Sequence, residues 1–165
     1  MPALEDLSIR DMAVYQNTTV ATPDSQWQVK SEFNITLSAW NRNTVAGCFS
    51  TYRRMVVHVG YGYDNALILQ QEVPLGFGLK PRRSRPVVME VKGDHFPVTQ
   101  ELGQLLEADL QNASTVNFQI YFDTRVMRND RKVEWIHMGC QVTARSPLNS
   151  SQVSGNLLWK KCGPS

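Results

Sequence analysis

Residues 29–39 read VKSEFNITLSA, and they give the clearest indication of the architecture. The odd positions carry Val29, Phe33, Ile35 and Leu37 among small residues, whereas every even position carries a charged or polar side chain. Successive side chains of a β-strand point to opposite faces, so this alternation predicts a strand with one buried and one wetted face.

The same alternation recurs along most of the chain. It predicts further strands at residues 55–61, 67–74, 87–91, 116–122 and 133–144, with others near the ends at residues 7–15 and 157–162. Leu7, Ile9, Ala13 and Tyr15 occupy alternate positions of the predicted strand at residues 7–15, so we expect them to share one face. Residues 128–131 (Arg-Asn-Asp-Arg) predict a tight hairpin turn, because Asn and Asp tolerate positive φ angles.

Two segments depart from simple alternation. The apolar phase changes between Trp135 and Ile136, which predicts a β-bulge at that point. Apolar residues also recur at helical spacing from Val98 to Leu110, with Thr99 as a candidate N-cap. The whole pattern predicts one domain over residues 1–165: an all-β, immunoglobulin/fibronectin-III-like β-sandwich of about seven strands with one short connecting helix.

Charge and hydropathy exclude several classes of function. The chain has 17 basic and 15 acidic residues, a balance that argues against a nucleic-acid partner. No apolar run approaches the roughly 20 residues of a membrane helix, and the N-terminus lacks the pattern of a signal peptide. We therefore expect either a cytosolic protein or a piece of a larger one.

Glycosylation motifs favour the second possibility. Asn-x-Ser/Thr occurs at Asn17, Asn34, Asn112 and Asn149, always without proline in the middle. The three cysteines, Cys48, Cys140 and Cys162, include no Cys-x-x-Cys pair. They allow either one disulfide with one free thiol, or three buried thiols in a cytosolic protein.

Motifs for catalysis are missing from the sequence. It contains no Gly-x-Ser-x-Gly, no His-Glu-x-x-His and no phosphate-binding Gly-x-x-x-x-Gly-Lys-Ser/Thr. His58, His95 and His137 are scattered, so we expect no metal site, no cofactor and no enzymatic activity.

The most unusual stretch is Lys80–Pro86, in which four cations lie between or beside two prolines. We call Lys80, Arg82, Arg83 and Arg85 the cationic segment, and we expect it to be extended and exposed. It is a candidate contact for an acidic polysaccharide or lipid phosphate, and the alternative is a solvated loop that only joins two strands.

The order of these segments resembles the harpin-induced-like proteins of plants, the late embryogenesis abundant family, subgroup two. The resemblance is carried by residues 33–43, 55–59, 75–86, 102–110 and 116–126, and by the late cysteines Cys140 and Cys162. At position 42 the chain has Arg where the family has proline in an Asn-Pro-Asn turn. The resemblance implies a disulfide between Cys140 and Cys162, which would leave Cys48 as the free thiol.

The resemblance also implies a function. It indicates a non-catalytic domain on the outer side of the plasma membrane, anchored by a helix before Met1, that acts in plant defence or stress response by binding or tethering. The expected partner is an unidentified protein or an acidic cell-wall polysaccharide. One alternative is a cytosolic stress-protective protein of the same fold. Another is a carbohydrate-active enzyme, which would need two carboxylates facing each other in a cleft.

Overall fold

Two antiparallel sheets pack face to face in the computed structural model, which describes residues 3–16, 27–41, 50–62, 64–129, 132–147 and 156–164. The elements are β1 (Ala3–Gln16), β2 (Trp27–Trp40), β3 (Ser50–Tyr61), β4 (Ala66–Leu79), β5 (Ser84–Pro97), α1 (Gln100–Asn112), β6 (Thr115–Arg128), β7 (Lys132–Arg145) and β8 (Leu157–Pro164). Sheet A has the strand order β1-β2-β5, and sheet B has the order β4-β3-β6-β7-β8. The predicted all-β sandwich is confirmed, with eight strands in the described ranges where about seven were expected.

The core lies between the inward faces of β2 and β6. Phe33 and Ile35 of β2 are fully buried, as are Ile120 and Phe122 of β6. Across the two sheets, the rings of Phe33 and Phe118 meet edge to face with their centroids 5.7 Å apart. Such aromatic pairs contribute about 0.5–1.5 kcal/mol beyond the burial of their surface. Residues 29–39 therefore form a strand with one buried face, as their alternation predicts.

Asn156 joins the two sheets at one side of the sandwich. Its backbone N–H donates to Leu7 O of β1 at 2.9 Å, and its side-chain Oδ1 accepts from Ile9 N at 2.8 Å. On the other side, its backbone O accepts from Arg145 N of β7 at 2.7 Å, and its Nδ2 donates to Arg145 O at 3.2 Å. This buried residue therefore links the edge of sheet A to sheet B through four hydrogen bonds.

The predicted face of β1 is partly wrong. Leu7 and Ile9 are buried as expected, but Met12 is buried in place of Ala13, which is exposed. The register to β2 shifts between Leu4 and Asp6 and again between Ile9 and Asp11. Each bulge inserts one residue and reverses the side-chain phase, so strict alternation does not extend along this strand.

The predicted bulge in β7 is also wrong. The pairing of β6 with β7 runs without a register shift, and Trp135 lies opposite Arg125. Val133 and Trp135 point outward and are 40% and 50% exposed, whereas Met138, Cys140 and Val142 face the core. The change of apolar phase between Trp135 and Ile136 therefore arises because Val133 and Trp135 are apolar residues on the solvent-facing side of β7.

Strand β4 continues beyond the predicted end at Pro74 as far as Leu79. β4 is an edge strand, where proline removes no essential hydrogen bond. The register between β3 and β4 shifts between Tyr52 and Arg54, and Pro74 lies opposite Arg54. This irregularity accommodates the proline without ending the strand.

Helix α1 begins two residues later than predicted, at Gln100. The hydroxyl of Thr99 accepts a hydrogen bond from Leu102 N at 3.2 Å, which confirms Thr99 as the N-cap. Leu106 and Leu110 are buried, but Leu105 is 54% exposed. Within the described ranges, no helix has both the length and the apolar character needed to cross a membrane.

The helix is fixed to the sandwich by a close approach and a hydrogen bond. Gly103 lies against Trp27, and a β-carbon at this position would come within 2.5 Å of the Trp27 ring. Tyr61 of β3 donates its phenolic O–H to the carboxylate of Asp109. Burial raises the pKa of Tyr61 above its ordinary value of 10.0, and the hydrogen bond to Asp109 and its charge act in the same direction.

A disulfide closes the outer edge of sheet B. Cys140 of β7 and Cys162 of β8 are paired in register, with their Cα atoms 4.1 Å apart. This confirms the predicted pairing. Cys48, the predicted free thiol, lies outside the described residues.

Replacing both cysteines by alanine (C140A/C162A) should lower the free energy of unfolding by about 3 kcal/mol, because the disulfide closes a loop with a sequence separation of 22. Urea denaturation without reductant measures the difference, and the wild type in reductant should lose a similar amount. A bridge that includes Cys48, found by mass mapping of unreduced peptides, would contradict this assignment.

The substitution Gly103→Ala should destabilise the domain by about 1–3 kcal/mol, because the added methyl group overlaps the Trp27 ring. This cost exceeds the gain of about 1 kcal/mol in helix propensity. Gln104→Ala, at an exposed position of the same helix, is the matched control and should change stability by less than about 0.5 kcal/mol. Thermal unfolding of both variants tests the contact, and an equal Tm for the two would exclude it.

Alkaline pH should destabilise the fold through Tyr61. The pKa of Tyr61 is raised in the folded state. Its contribution to the free energy of unfolding is therefore fully present below about pH 10, and it is lost as the pH rises towards the folded pKa. The slope should reach up to about 1.4 kcal/mol per pH unit for this residue. In urea titrations, Tyr61→Phe should differ from the wild type by a constant amount between about pH 6 and 9. The two should converge above about pH 10, and parallel curves over the whole range would contradict the assignment.

Candidate functional site

The cationic segment lies at the connection between β4 and β5, at one end of the sandwich. It is not extended as predicted: Arg83 N donates to Lys80 O at 3.2 Å, and this bond closes a tight turn. Arg82 within this turn has a φ angle of 59°, in the left-handed region. A residue with a β-carbon costs roughly 1–2 kcal/mol in this conformation, so the turn carries arginine where glycine would be less strained.

Asn41 holds this turn from the end of β2. Its backbone N–H donates to Arg83 O at 3.0 Å, and its backbone O accepts from Arg82 N at 2.9 Å. The side-chain Nδ2 of this buried residue donates to Leu79 O at 2.9 Å. The backbone at the cationic segment is therefore fixed by three hydrogen bonds to a single residue.

All four side chains of the cationic segment are exposed, as predicted. None of them forms an ion pair with another described residue. The guanidinium of Arg85 lies 4.9 Å from the ring centroid of Phe77, which stacks in turn on Tyr52. This contact orients one of the four cations, and the other three are in contact with solvent.

Two of the four glycosylation motifs begin at residues that the structure describes, and these two asparagines differ in exposure. Asn112 is exposed at the last residue of α1, and Asn34 is half-buried on the solvent-facing side of β2. Asn17 and Asn149 lie outside the described residues. Modification at these positions remains a prediction.

A second polar cluster, which the sequence did not indicate, lies on the outer face of sheet B. His137 Nδ1 is 2.6 Å from Asp123 Oδ1, and His58 Nε2 is 3.5 Å from Asp123 Oδ2. The ring of Trp135 stacks on His137 at an interplanar angle of 8°. The two imidazoles contact different oxygens of one carboxylate, so Asp123 connects β3, β6 and β7 on this face.

A neighbouring chain of hydrogen bonds lies on the same face. Asn65 Nδ2 donates to the Tyr121 hydroxyl at 2.8 Å, and that hydroxyl donates to Gln119 Oε1 at 2.6 Å. Asn65 lies directly over Gly60, where an added β-carbon would come within 1.9 Å of Asn65 Oδ1. In the part of the chain that the structure describes, no group of three or more His, Cys, Asp or Glu residues is arranged to hold a metal ion.

The sequence did not indicate the pairing of Asp123 with His137. Arg128 pairs with Lys132 in the register of β6 against β7, and this register places Asp123 opposite His137. A two-residue turn at residues 129–130 would instead pair Arg128 with Arg131 and place Asp123 opposite Ile136. Residues 130 and 131 of the predicted turn lie outside the described residues. His58 comes from β3, which is distant in the sequence, and no short-range pattern indicates its position.

One pair of neighbouring acidic side chains lies on sheet A. Glu32 and Glu90 are hydrogen-bonded on its solvent-facing side, and the pKa of Glu32 is raised by that bond first and then by desolvation and the charge of Glu90. The carboxyl groups of retaining and inverting glycosidases are separated by at least about 5 Å to admit the sugar. A directly bonded pair on an outer sheet face does not have this geometry.

No protein-family model matches the chain, and no curated protein matches it. Among solved structures, the chain is similar to the crystal structure of a protein from Archaeoglobus fulgidus, with 10% sequence identity and a TM-score of 0.48. The similarity covers 86% of this chain and 99% of that chain. These comparisons assign neither a family nor an activity.

Proposed function

We propose that this chain is a binding or tethering domain and that the cationic segment is its contact with an anionic partner. The observation that carries the proposal is the fixed turn at Lys80–Arg83, which together with Arg85 at the start of β5 presents four exposed cations with no ion-pair partner among the described residues. Strain at Arg82 supports it, because a strained residue persists where the surroundings hold it and often where it has a function.

The partner that fits this turn best is an acidic polysaccharide. The planar guanidinium group binds carboxylates with two parallel hydrogen bonds, and three of the four cations are arginines. Repeated carboxylates along a polymer would engage several cations at once. Phosphate headgroups of lipids share the charge, so they form the second arm of the experiment.

The proposed location is the outer side of the plasma membrane, where the domain would act in plant defence or stress response, as its resemblance to the harpin-induced-like proteins implies. The Cys140–Cys162 disulfide supports an oxidising compartment over the cytosolic alternative.

Replacing all four cations by alanine (K80A/R82A/R83A/R85A) should weaken binding to polygalacturonate by about a hundredfold or more at low salt. Each cation near an anionic surface contributes about 1 kcal/mol, and this contribution is screened as salt increases. Binding is measured by isothermal titration calorimetry, and in parallel by sedimentation with vesicles that contain about one-third anionic lipid. The matched control, R10A/K30A/K92A/K161A, removes four exposed cations from other surfaces and should bind like the wild type.

The single substitution Arg82→Gly separates binding from stability. Glycine relieves the strain at a φ of 59°, so this variant should be at least as stable as the wild type while it binds polygalacturonate more weakly. Equal binding by the wild type and the four-alanine variant would exclude the cationic segment as the contact. If the four-alanine variant loses binding to the vesicles but keeps binding to polygalacturonate, the cationic segment is a contact for lipid.

A further inference from the structure

A groove of about 1100 Å³ lies at the opposite end of the sandwich from the cationic segment. It runs between helix α1 and the ends of the strands of sheet B, and its residues come from β3, β4, β6, β7 and β8, from the end of β5 and from the helix. This volume is slightly above the range of about 300–1,000 Å³ typical of small-molecule sites. We call it the acidic groove, for the residues described next.

Carboxylates and exposed apolar side chains line the acidic groove together. Asp64, Glu101 and Asp109 supply three carboxylates, and no Lys, Arg or His is among the described lining residues. Leu67, Leu105 and Trp159 are 38%, 54% and 51% exposed. Large apolar side chains in contact with water, beside charges of one sign, are typical of a surface that binds a partner.

Helix α1 supplies one wall of the acidic groove. Glu101, Leu105 and Asp109 are spaced four residues apart, so they lie along one face of α1. Asp109 is held in place by the hydroxyl of Tyr61, and the N-cap at Thr99 fixes the first turn. The acidic and apolar groups are therefore arranged before any partner binds, which lowers the entropic cost of binding.

The dimensions of the acidic groove fit an extended chain. Leu67 lies on β4 and Trp159 on β8, the two edges of the five-stranded sheet, so four inter-strand spacings separate them. At about 4.8 Å for each spacing, the groove is roughly 19 Å long, which equals about six residues of extended peptide.

We propose that the acidic groove binds a peptide segment of another protein in which lysine or arginine alternates with apolar residues. The three carboxylates would pair with the cations, and Leu67, Leu105 and Trp159 would cover the apolar side chains. This site is separate from the proposed contact of the cationic segment. The two together would let one domain bridge an anionic polymer and a basic protein.

The test uses three probes: a fluorescein-labelled octapeptide of alternating lysine and leucine, the same peptide with glutamate in place of lysine, and spermine as an unlabelled competitor. Fluorescence anisotropy should show that the wild type binds the lysine peptide. The glutamate peptide should not bind the four-alanine variant, which lacks the cationic segment, and spermine should compete for the lysine peptide only at a large excess, because it has no apolar side chains. Failure of the wild type to bind the lysine peptide, or equal binding of both peptides by the four-alanine variant, would overturn the proposal.

Two charge-reversal variants localise the binding. D64K/E101K changes two exposed groove carboxylates and should weaken binding of the lysine peptide by about tenfold or more at physiological salt. D94K/E107K makes the same change in charge at two positions outside the groove and should bind within about twofold of the wild type. Leu105→Ser, at an exposed position, should weaken binding with no change in Tm. Equal binding by D64K/E101K and D94K/E107K would exclude the acidic groove.

Two further measurements distinguish the acidic groove from the cationic segment and from a self-association surface. The four-alanine variant of the cationic segment should bind the lysine peptide like the wild type, and D64K/E101K should bind polygalacturonate like the wild type. Analytical ultracentrifugation tests whether a second copy of the chain fills the groove. We expect that the wild type does not self-associate through the groove. Self-association of the wild type that D64K/E101K abolishes would overturn the peptide proposal in favour of a second copy of this chain.

Discussion

The contact between the inward faces of β2 and β6 is the constraint on which the remaining structure depends. Phe33 and Phe118 meet across the sheets, and the fully buried residues on both strands leave no alternative register without exposing apolar surface. Once these inward faces are fixed, the alternate residues of β2 and β6 must lie on the outer faces of the two sheets. The outer-face cluster of His58, Asp123 and His137 therefore follows from the packing of the core on the other side of the same sheet.

The two ends of the sandwich differ in charge although the net charge of the chain is only +2. The cationic segment lies where β4 meets β5, and the three carboxylates of the acidic groove lie where α1 covers the other end. Strand β3, with 12 residues, separates the two ends by roughly 40 Å at about 3.3 Å per residue. This distance exceeds the Debye length of about 8 Å at physiological ionic strength, so the two ends act as independent electrostatic surfaces.

Local sequence patterns were sufficient to predict three features: alternation predicted the fold class, helical spacing predicted the helix, and the cluster of cations beside prolines predicted the exposure of the cationic segment. They were insufficient where the physical cause is non-local. The bulges of β1 depend on its pairing with β2, and the outward position of Trp135 depends on which face of β7 the core occupies. The tight turn at Arg82 depends on Asn41, which is distant along the chain. The acidic groove combines residues of seven elements and has no counterpart in any single stretch of sequence.

The four hydrogen bonds of Asn156 also determine how the domain carries mechanical load. A force along β1 is transmitted through Leu7 and Ile9 to Asn156, and from there to Arg145 on β7. β7 is joined to β8 by the covalent Cys140–Cys162 bond, so the edge strands of the two sheets share the load with a bond that does not yield to thermal forces. If the domain links a surface to a protein, as proposed, it experiences tension whenever its partners move apart. This cross-connection lets opposite sides of the sandwich resist that tension together, where a lone edge strand would peel away one hydrogen bond at a time.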